Sequence, residues 1–266
     1  MHIKCIERVL IAVADLDAAS ARWQRAGFAP GAGRVELDGV SFARLAAGAI
    51  EIDLCHVDDN SANGELANAI ARKASNGGGV MGWWWGISAD GDDLSGHLIK
   101  IPSLAGTPIA AAIDAAALDG VLTARVAVLG DKNARGKNLR RELGKNANTV
   151  EFLEHIVVMV AGLDDAIAKY EAIGLPCRRI REAGRGIRQA FFKLEDTVLE
   201  VVGPNERASG VWGLAFMCGD IEEPVAIARS NGLQATEPKA AVQGGRIARI
   251  VEPLDGVAVA FMEPAR

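Results

Sequence analysis

The stretch VEFLEHIVVMVAGLDDAIAKYEAIG, residues 150–174, decides how this chain is read. An apolar, β-branched run ends at Val160, gives way to Gly-Leu-Asp-Asp, and continues as an amphipathic segment that stops at Gly174. This pattern predicts a buried strand followed by a helix. Acidic residues in the helix's first turn meet the positive end of its dipole, and a glycine sits just past its C-terminus. His155 stands inside the strand. It is either a core imidazole with a hydrogen bond or a metal ligand.

The same pattern occurs earlier in the chain. Sliding CIERVLIAVADLDAASARWQRAG (5–27) by 147 places lays Glu7 on Glu154, Val13 on Val160, Leu16 on Leu163, Asp17 on Asp164 and Gly27 on Gly174. Arg8 falls where His155 stands. Downstream, VSFARLAAGAIEIDL (40–54) and RQAFFKLEDTVLEVVG (188–203) each read as strand, turn, strand, and a shift of 149 lays Phe42 on Phe191 and Glu51 on Glu200. Each unit is therefore β-α-β-β-β over about 50 residues, with a glutamate in its last strand. Internal repetition of this kind fixes the architecture before any single motif does.

Two more units follow the pattern. GVWGLAFMCGDIEEPVAIARSNGL (210–233) opens one that closes with GGRIARIVEPLDGVAVAFMEP, giving a unit over about 210–264. GVMGWWWGISADGDDLSGHLIKI (79–101) opens a degenerate one over about 79–130. In that unit VLTARVAVLG (121–130) is a clear strand, but no closing strand stands out. The expected organisation is an N-terminal half over 1–130, a polar linker over 131–149 rich in Lys, Arg and Asn, and a C-terminal half over 150–266. NLRREL within the linker has the composition of a short helix.

Composition narrows the classes of function. With 266 residues, 50% of them hydrophobic and a net charge of −5, the chain reads as an ordinary globular protein. An acidic total argues against a nucleic-acid partner, because such binding is driven by Lys and Arg neutralising phosphates. The four cysteines, Cys5, Cys55, Cys177 and Cys218, form no CxxC pair and read as reduced thiols. There is no leader-like start and no apolar run of 18 residues, so the expectation is a cytoplasmic protein with no membrane partner.

Strands like EHIVVMV, followed by LDDAIAKYEAIG and recurring along nearly the whole chain, resemble the vicinal oxygen chelate superfamily of glyoxalase, bleomycin-resistance and extradiol dioxygenase type. The resemblance implies an α+β, glyoxalase-like fold of tandem β-α-β-β-β units forming paired half-open barrels. It also implies a divalent metal bound by inward side chains on the first and last strands of the units. His155 and Glu200 match those ligand positions, and Glu200 is the carboxylate that would remove a proton next to a carbonyl, with Glu51 the other candidate. The residues support this chemistry in their own right. A carboxylate between Leu199 and Val201 needs a cation or dense hydrogen bonding, and imidazole plus carboxylate suits Fe, Mn, Ni, Co or Zn.

The pattern is incomplete in the other units. Gly213 and the neighbourhood of Val259 offer no donor in the fourth unit, Gly82 offers none in the second, and Arg8 with Glu51 reads as an internal ion pair. A third ligand would have to come from His56, His97 or Glu263. Three further residues are candidates for substrate contact: Arg8, Trp84 and Arg188. Trp84 reads as a stacking surface or as core. Arg188, in PCRRIREAGRGIRQ (176–189), reads as an anion contact or as part of a solvated edge hairpin. Trp212, by its parity with Gly213, is expected to point outward, toward an interface such as that of a homodimer. The reading is a metal-assisted lyase, isomerase or dioxygenase acting on a small oxygenated substrate. Its rival is a metal-free binding or sequestering protein of bleomycin-resistance type.

Overall fold

The computed structural model describes residues 3–37, 39–58, 64–87, 98–101, 109–118, 121–127, 147–206, 209–242 and 244–265. The first unit runs β1 (Ile3–Ala12), α1 (Leu16–Arg25), β2 (Ala29–Leu37), β3 (Val40–Ala47) and β4 (Ile50–Val57). After α2 (Glu65–Ser75) come β5 (Gly79–Ile87), β6 (Leu98–Ile101), β7 (Ile109–Leu118) and β8 (Val121–Ala127). The third unit is β9 (Val150–Met159), α3 (Leu163–Ala172), β10 (Arg179–Gly184), β11 (Ile187–Lys193) and β12 (Val198–Gly203). The fourth is β13 (Gly210–Cys218), α4 (Glu222–Ser230), β14 (Lys239–Ala240), β15 (Arg246–Arg249) and β16 (Ala258–Glu263).

These strands form two eight-stranded sheets of identical order, β2-β3-β4-β1-β5-β8-β7-β6 and β10-β11-β12-β9-β13-β16-β15-β14. In every unit the first strand pairs in parallel with the last. The first strands of neighbouring units then pair antiparallel, β1 with β5 and β9 with β13. The second unit is more complete than its sequence suggests. Val121–Ala127 is itself the closing strand, paired in parallel with β5, and the strand before it is the alanine run IAAAIDAAAL. Alanine is a poor strand former, so its composition concealed that strand.

Alternation along β9 sends Leu153, Ile156 and Val158 into the core, while Val157 and Met159 face the other side of the sheet. Helix α3 follows with Asp164 and Asp165 in its first turn, and Gly174 takes a φ of 89° just beyond its end. That is the left-handed conformation a glycine adopts without a steric penalty.

One hydrophobic core spans both halves. Trp23 and Phe28, from the first unit, reach across to the fourth: the Phe28 ring lies 5.1 Å from that of Phe216 and 6.3 Å from that of Phe261. Asp255 fastens the same contact, accepting from Trp23 Nε1 at 3.1 Å and pairing with Arg22. Of the polar segment 131–149, only 147–149 lies within the described residues, and NLRREL lies outside them. Within that end Asn148 is fully buried, its Nδ2 donating to the Ala26 carbonyl at 3.1 Å.

Gly48 sits at the seam between the halves, with a φ of 65° and the Glu151 carbonyl oxygen 2.0 Å from where a Cβ would stand. Gly33 has a φ of 69° but nothing within 4 Å of that point. Gly33→Ala should therefore cost about 1 kcal/mol from backbone strain alone. Gly48→Ala should cost more than about 3 kcal/mol, since overlap with backbone is added. Urea denaturation of the two variants checks the difference.

Candidate functional site

The concave face of the second sheet encloses a cavity of about 1010 Å³. Its centre is built from β9 and β12 on one side and β13 and β16 on the other. Val157 and Met159 line it from β9, Val202 from β12, Ala215 from β13, and Ala260 and Met262 from β16. His155 and Glu200 line it too, so the two residues that the sequence pairs do share one cavity.

His155 owes its position to a β-bulge. Leu153 pairs with Phe216 and His155 with Ala215, which leaves Glu154 unpaired between them. The extra residue turns the Glu154 carboxylate against Nδ1 of His155. A carboxylate on that side of the ring favours the tautomer with its proton on Nδ1 and its lone pair on Nε2, the one a metal-binding histidine uses. Nε2 is buried and has no hydrogen-bond partner among the described residues. Burial first, and then the Lys193 ammonium, push the imidazole down to about 4, so it stands neutral at ordinary pH.

Glu200 lies on the adjacent strand, opposite Val157. Its Oε1 accepts from Gln189 Nε2 at 2.5 Å, and Gln189 Oε1 accepts from Arg181 Nε at 2.9 Å. Burial raises the proton affinity of Glu200, while Arg181 and the Gln189 hydrogen bond work against that rise. Facing these donors, β13 and β16 contribute no charged side chain: Gly213, Ala215, Ala258 and Ala260 stand there, with Trp212 and Met262 farther along the same strands. On the last strand the Val259 side chain packs into the core, 1% exposed, and Ala258 and Ala260 on either side of it turn toward the cavity.

The first sheet repeats the geometry with different contents. Ile6 pairs with Trp85 and Arg8 with Trp84, so Glu7 is the bulge residue here as Glu154 is there. Arg8 is buried, paired with Glu51 and donating from Nη1 to Asp53 Oδ2 at 2.7 Å. Arg44 Nε reaches the other Asp53 oxygen at 3.1 Å. The Arg8 guanidinium stacks 4.5 Å from the Trp84 ring centroid. Burial alone would loosen Arg8's proton, but Asp53 and Glu51 together overcome that and hold it charged. Helix α2 covers this face, its Ala67 and Ile70 packing with Leu10, Phe42, Met81 and Trp84.

No family model matches the sequence, and no curated protein matches it. Solved structures do. A triple mutant of 4-hydroxymandelate synthase from Streptomyces coelicolor superimposes with a TM-score of 0.68 at 14% identity, over 100% of this chain and 94% of that one. The chain has the vicinal oxygen chelate fold. A xylose isomerase-like TIM barrel/4-hydroxyphenylpyruvate dioxygenase fusion protein matches with a TM-score of 0.66 at 17% identity. That match covers 98% of this chain, which spans about half (49%) of the fusion protein. Methylmalonyl-CoA epimerase from Mycobacterium tuberculosis is 24% identical over 45% of this chain and 91% of its own, with a TM-score of 0.39.

Within this vicinal oxygen chelate fold the remaining candidates separate. Arg8, Glu51 and Trp84 meet in the closed first sheet, away from the cavity. Arg188 donates to Asp164 at 2.7 Å beside the start of α3, and Arg181 is the arginine of that hairpin that lines the cavity. Of the residues considered for a third ligand, His56 lies in the first sheet with Nδ1 3.2 Å from the Val13 carbonyl. Glu263 is buried on the core side of β16, accepting from Arg246 Nε at 2.7 Å. His97 lies outside the described residues. Among the described residues, no three His, Cys, Asp or Glu side chains gather as a metal cluster. No helix among them is long and apolar enough to cross a membrane.

Gln189 and Glu154 at the cavity, and Asp53 and Arg44 in the closed Arg8 cluster, are residues that the sequence reading passed over. The signal was available for one of them: Asp53 is two residues from Glu51 on one strand and so shares its face.

Two measurements test this geometry. Arg8→Met removes the cation that pairs with two buried carboxylates, Glu51 and Asp53, and should cost about 3–5 kcal/mol of stability in urea. The second concerns pH, in protein freed of metal by chelator. With His155 below its ordinary value, the unfolded chain takes up the proton first as pH falls, so stability present above about pH 6.5 is lost toward pH 4. The stability difference between wild type and His155→Gln should shrink by about 2 kcal/mol from pH 7 to pH 5.

Proposed function

We propose that the C-terminal cavity is the active site of an enzyme acting on a small oxygenated substrate, with His155 and Glu200 as protein ligands of a divalent ion. The observation that carries this reading is the buried, unpartnered Nε2 of His155, in the same cavity as Glu200. A buried polar atom without a partner is costly, and a metal ion is one group that satisfies it.

The residues fit an ion held by two protein donors, with the rest of its coordination left to water or substrate. Fe, Mn, Ni, Co and Zn all accept such a pair. When bound, the ion supplies Lewis-acid stabilisation of negative charge on a chelated substrate. The chain's own residues do the rest. Glu154 holds the imidazole in one tautomer. Gln189 fixes one oxygen of Glu200 and links it to Arg181, while the apolar walls from β13 and β16 exclude water. A lyase, isomerase or dioxygenase reaction is compatible with this set.

The ligand-free wall of Gly213, Ala215, Ala258 and Ala260 favours a second reading, a protein that binds or sequesters a small molecule without metal. Metal content separates the two. Protein purified without chelator should hold about one divalent ion per chain, and His155→Ala and Glu200→Ala should each lose it. Added Mn, Ni, Fe or Zn should raise the melting temperature of wild type and of neither variant. Wild type without metal, and indifferent to these additions, leaves the metal-free reading standing.

A further inference from the structure

We infer that the cavity takes an anion carrying a planar apolar body, with the body against Trp212 and the charge matched by the cationic lining to which Arg181 and Arg249 belong. This rests on the C-terminal cavity being the substrate site, but not on a metal there.

The first support is a second β-bulge. Val211 pairs with Val158 and Gly213 with Val157, so Trp212 is an extra residue on its strand. Parity with Gly213 would send its side chain away from the cavity. The bulge brings it to the cavity lining instead, where it is 55% exposed. Bulges beside functional sites re-aim side chains in this way.

The first sheet shows what normally happens at this place. There Leu10 pairs with Gly82 and Ile11 with Val80, which makes Met81 the corresponding extra residue. Met81 is 5% exposed because α2 lies over it. In the C-terminal half, the link between β12 and β13 spans only residues 204–209, and among the described residues no helix covers Trp212. The other four tryptophans are at most 8% exposed. Val242, also on the cavity lining, is 85% exposed. Trp212 and Val242 are thus an apolar pair left open at the cavity, where a ligand's flat apolar face would be desolvated against indole.

The second support is charge. Three cations line the cavity, Arg181, Lys239 and Arg249, against the single carboxylate of Glu200. This excess stands in a chain whose net charge is −5. Arg181 donates from Nε to Gln189, Arg249 bonds through its backbone N–H to Thr236, and among the described residues neither guanidinium forms an ion pair with a carboxylate, Arg181 acting on Glu200 only at longer range. A neutral planar ligand would leave these cations unmatched. A small anion without an apolar body would leave Trp212 and Val242 in water.

Calorimetric titration in EDTA with naphthalene-2-carboxylate, its neutral carboxamide and acetate tests the proposal. The carboxylate should bind at least about tenfold more tightly than the amide or acetate. Trp212→Ala should weaken it about tenfold, with Trp212→Phe intermediate. The double variant Arg181→Met, Arg249→Met should bring carboxylate and amide to equal affinity, and Arg249→Met alone, at an exposed position, should reduce the preference. Near-ultraviolet circular dichroism confirms that each variant is folded. Equal affinity of wild type for carboxylate and amide, unchanged affinity in Trp212→Ala, or no binding of the carboxylate by folded wild type overturns the proposal. Since chelator is present throughout, failure here is distinct from failure of the metal test.

Discussion

The antiparallel pairing of β9 with β13 is the contact on which the C-terminal cavity depends. Each β-α-β-β-β unit alone would be a four-stranded sheet with an open edge along its first strand. Joining first strand to first strand removes that edge and curls the two units into one concave surface. The register then decides which side chains meet inside it: His155 opposes Ala215, and Val157, level with Glu200, opposes Gly213. A slip of one residue would turn each of these outward. The bulges at Glu154 and Trp212 bracket that segment, so alternation is reset at both ends and the inward faces between them are fixed.

The same frame in the N-terminal half has been closed. Its bulge presents Arg8 where the other presents His155, and the charge is absorbed locally by Glu51 and Asp53, with Arg44 completing a buried set of two cations and two carboxylates. A set balanced in this way is compatible with burial, whereas removal of any member is not. The chain between β4 and β5 is long enough to carry α2, which fills the mouth with Ala67 and Ile70. One half has become a packed scaffold that presents Trp23 and Phe28 to the shared core. The other keeps its concave face open.

The strands and helices that alternate cleanly were legible in the sequence, since periods of 2 and 3.6 and a repeat of 147 residues constrain one another. Legibility failed where that regularity failed. The alanine run of β7 carries no strand signature. A bulge is an insertion in pairing rather than in sequence, so parity counted from Gly213 sent Trp212 to the wrong side. Phe191 and Phe192 stand side by side, which hid the face of β11 and drew attention to Arg188 when Gln189 and Arg181 line the cavity. Glu154 aligned with Glu7 from the start, but that a shared glutamate meant a shared bulge becomes visible only in the ladder itself.

The distribution of polar groups inside the cavity carries a consequence for how anything binds there. The central donors, His155 and Glu200, come from the third unit alone, while β13 and β16 of the fourth supply apolar side chains, small ones opposite the donors. Cations stand farther out, Arg181 on β10 and Lys239 and Arg249 on β14 and β15. A symmetric site assembled from two equivalent units would surround its ligand with donors. This one has a polar wall facing an apolar wall, with positive charge at both flanks. A ligand meeting that field cannot be satisfied in two opposite orientations, because reversing it would set its oxygens against alanine and its carbon skeleton against a carboxylate. The loss of donors from one unit therefore imposes direction on the cavity, and direction is what a reaction at one end of a substrate requires.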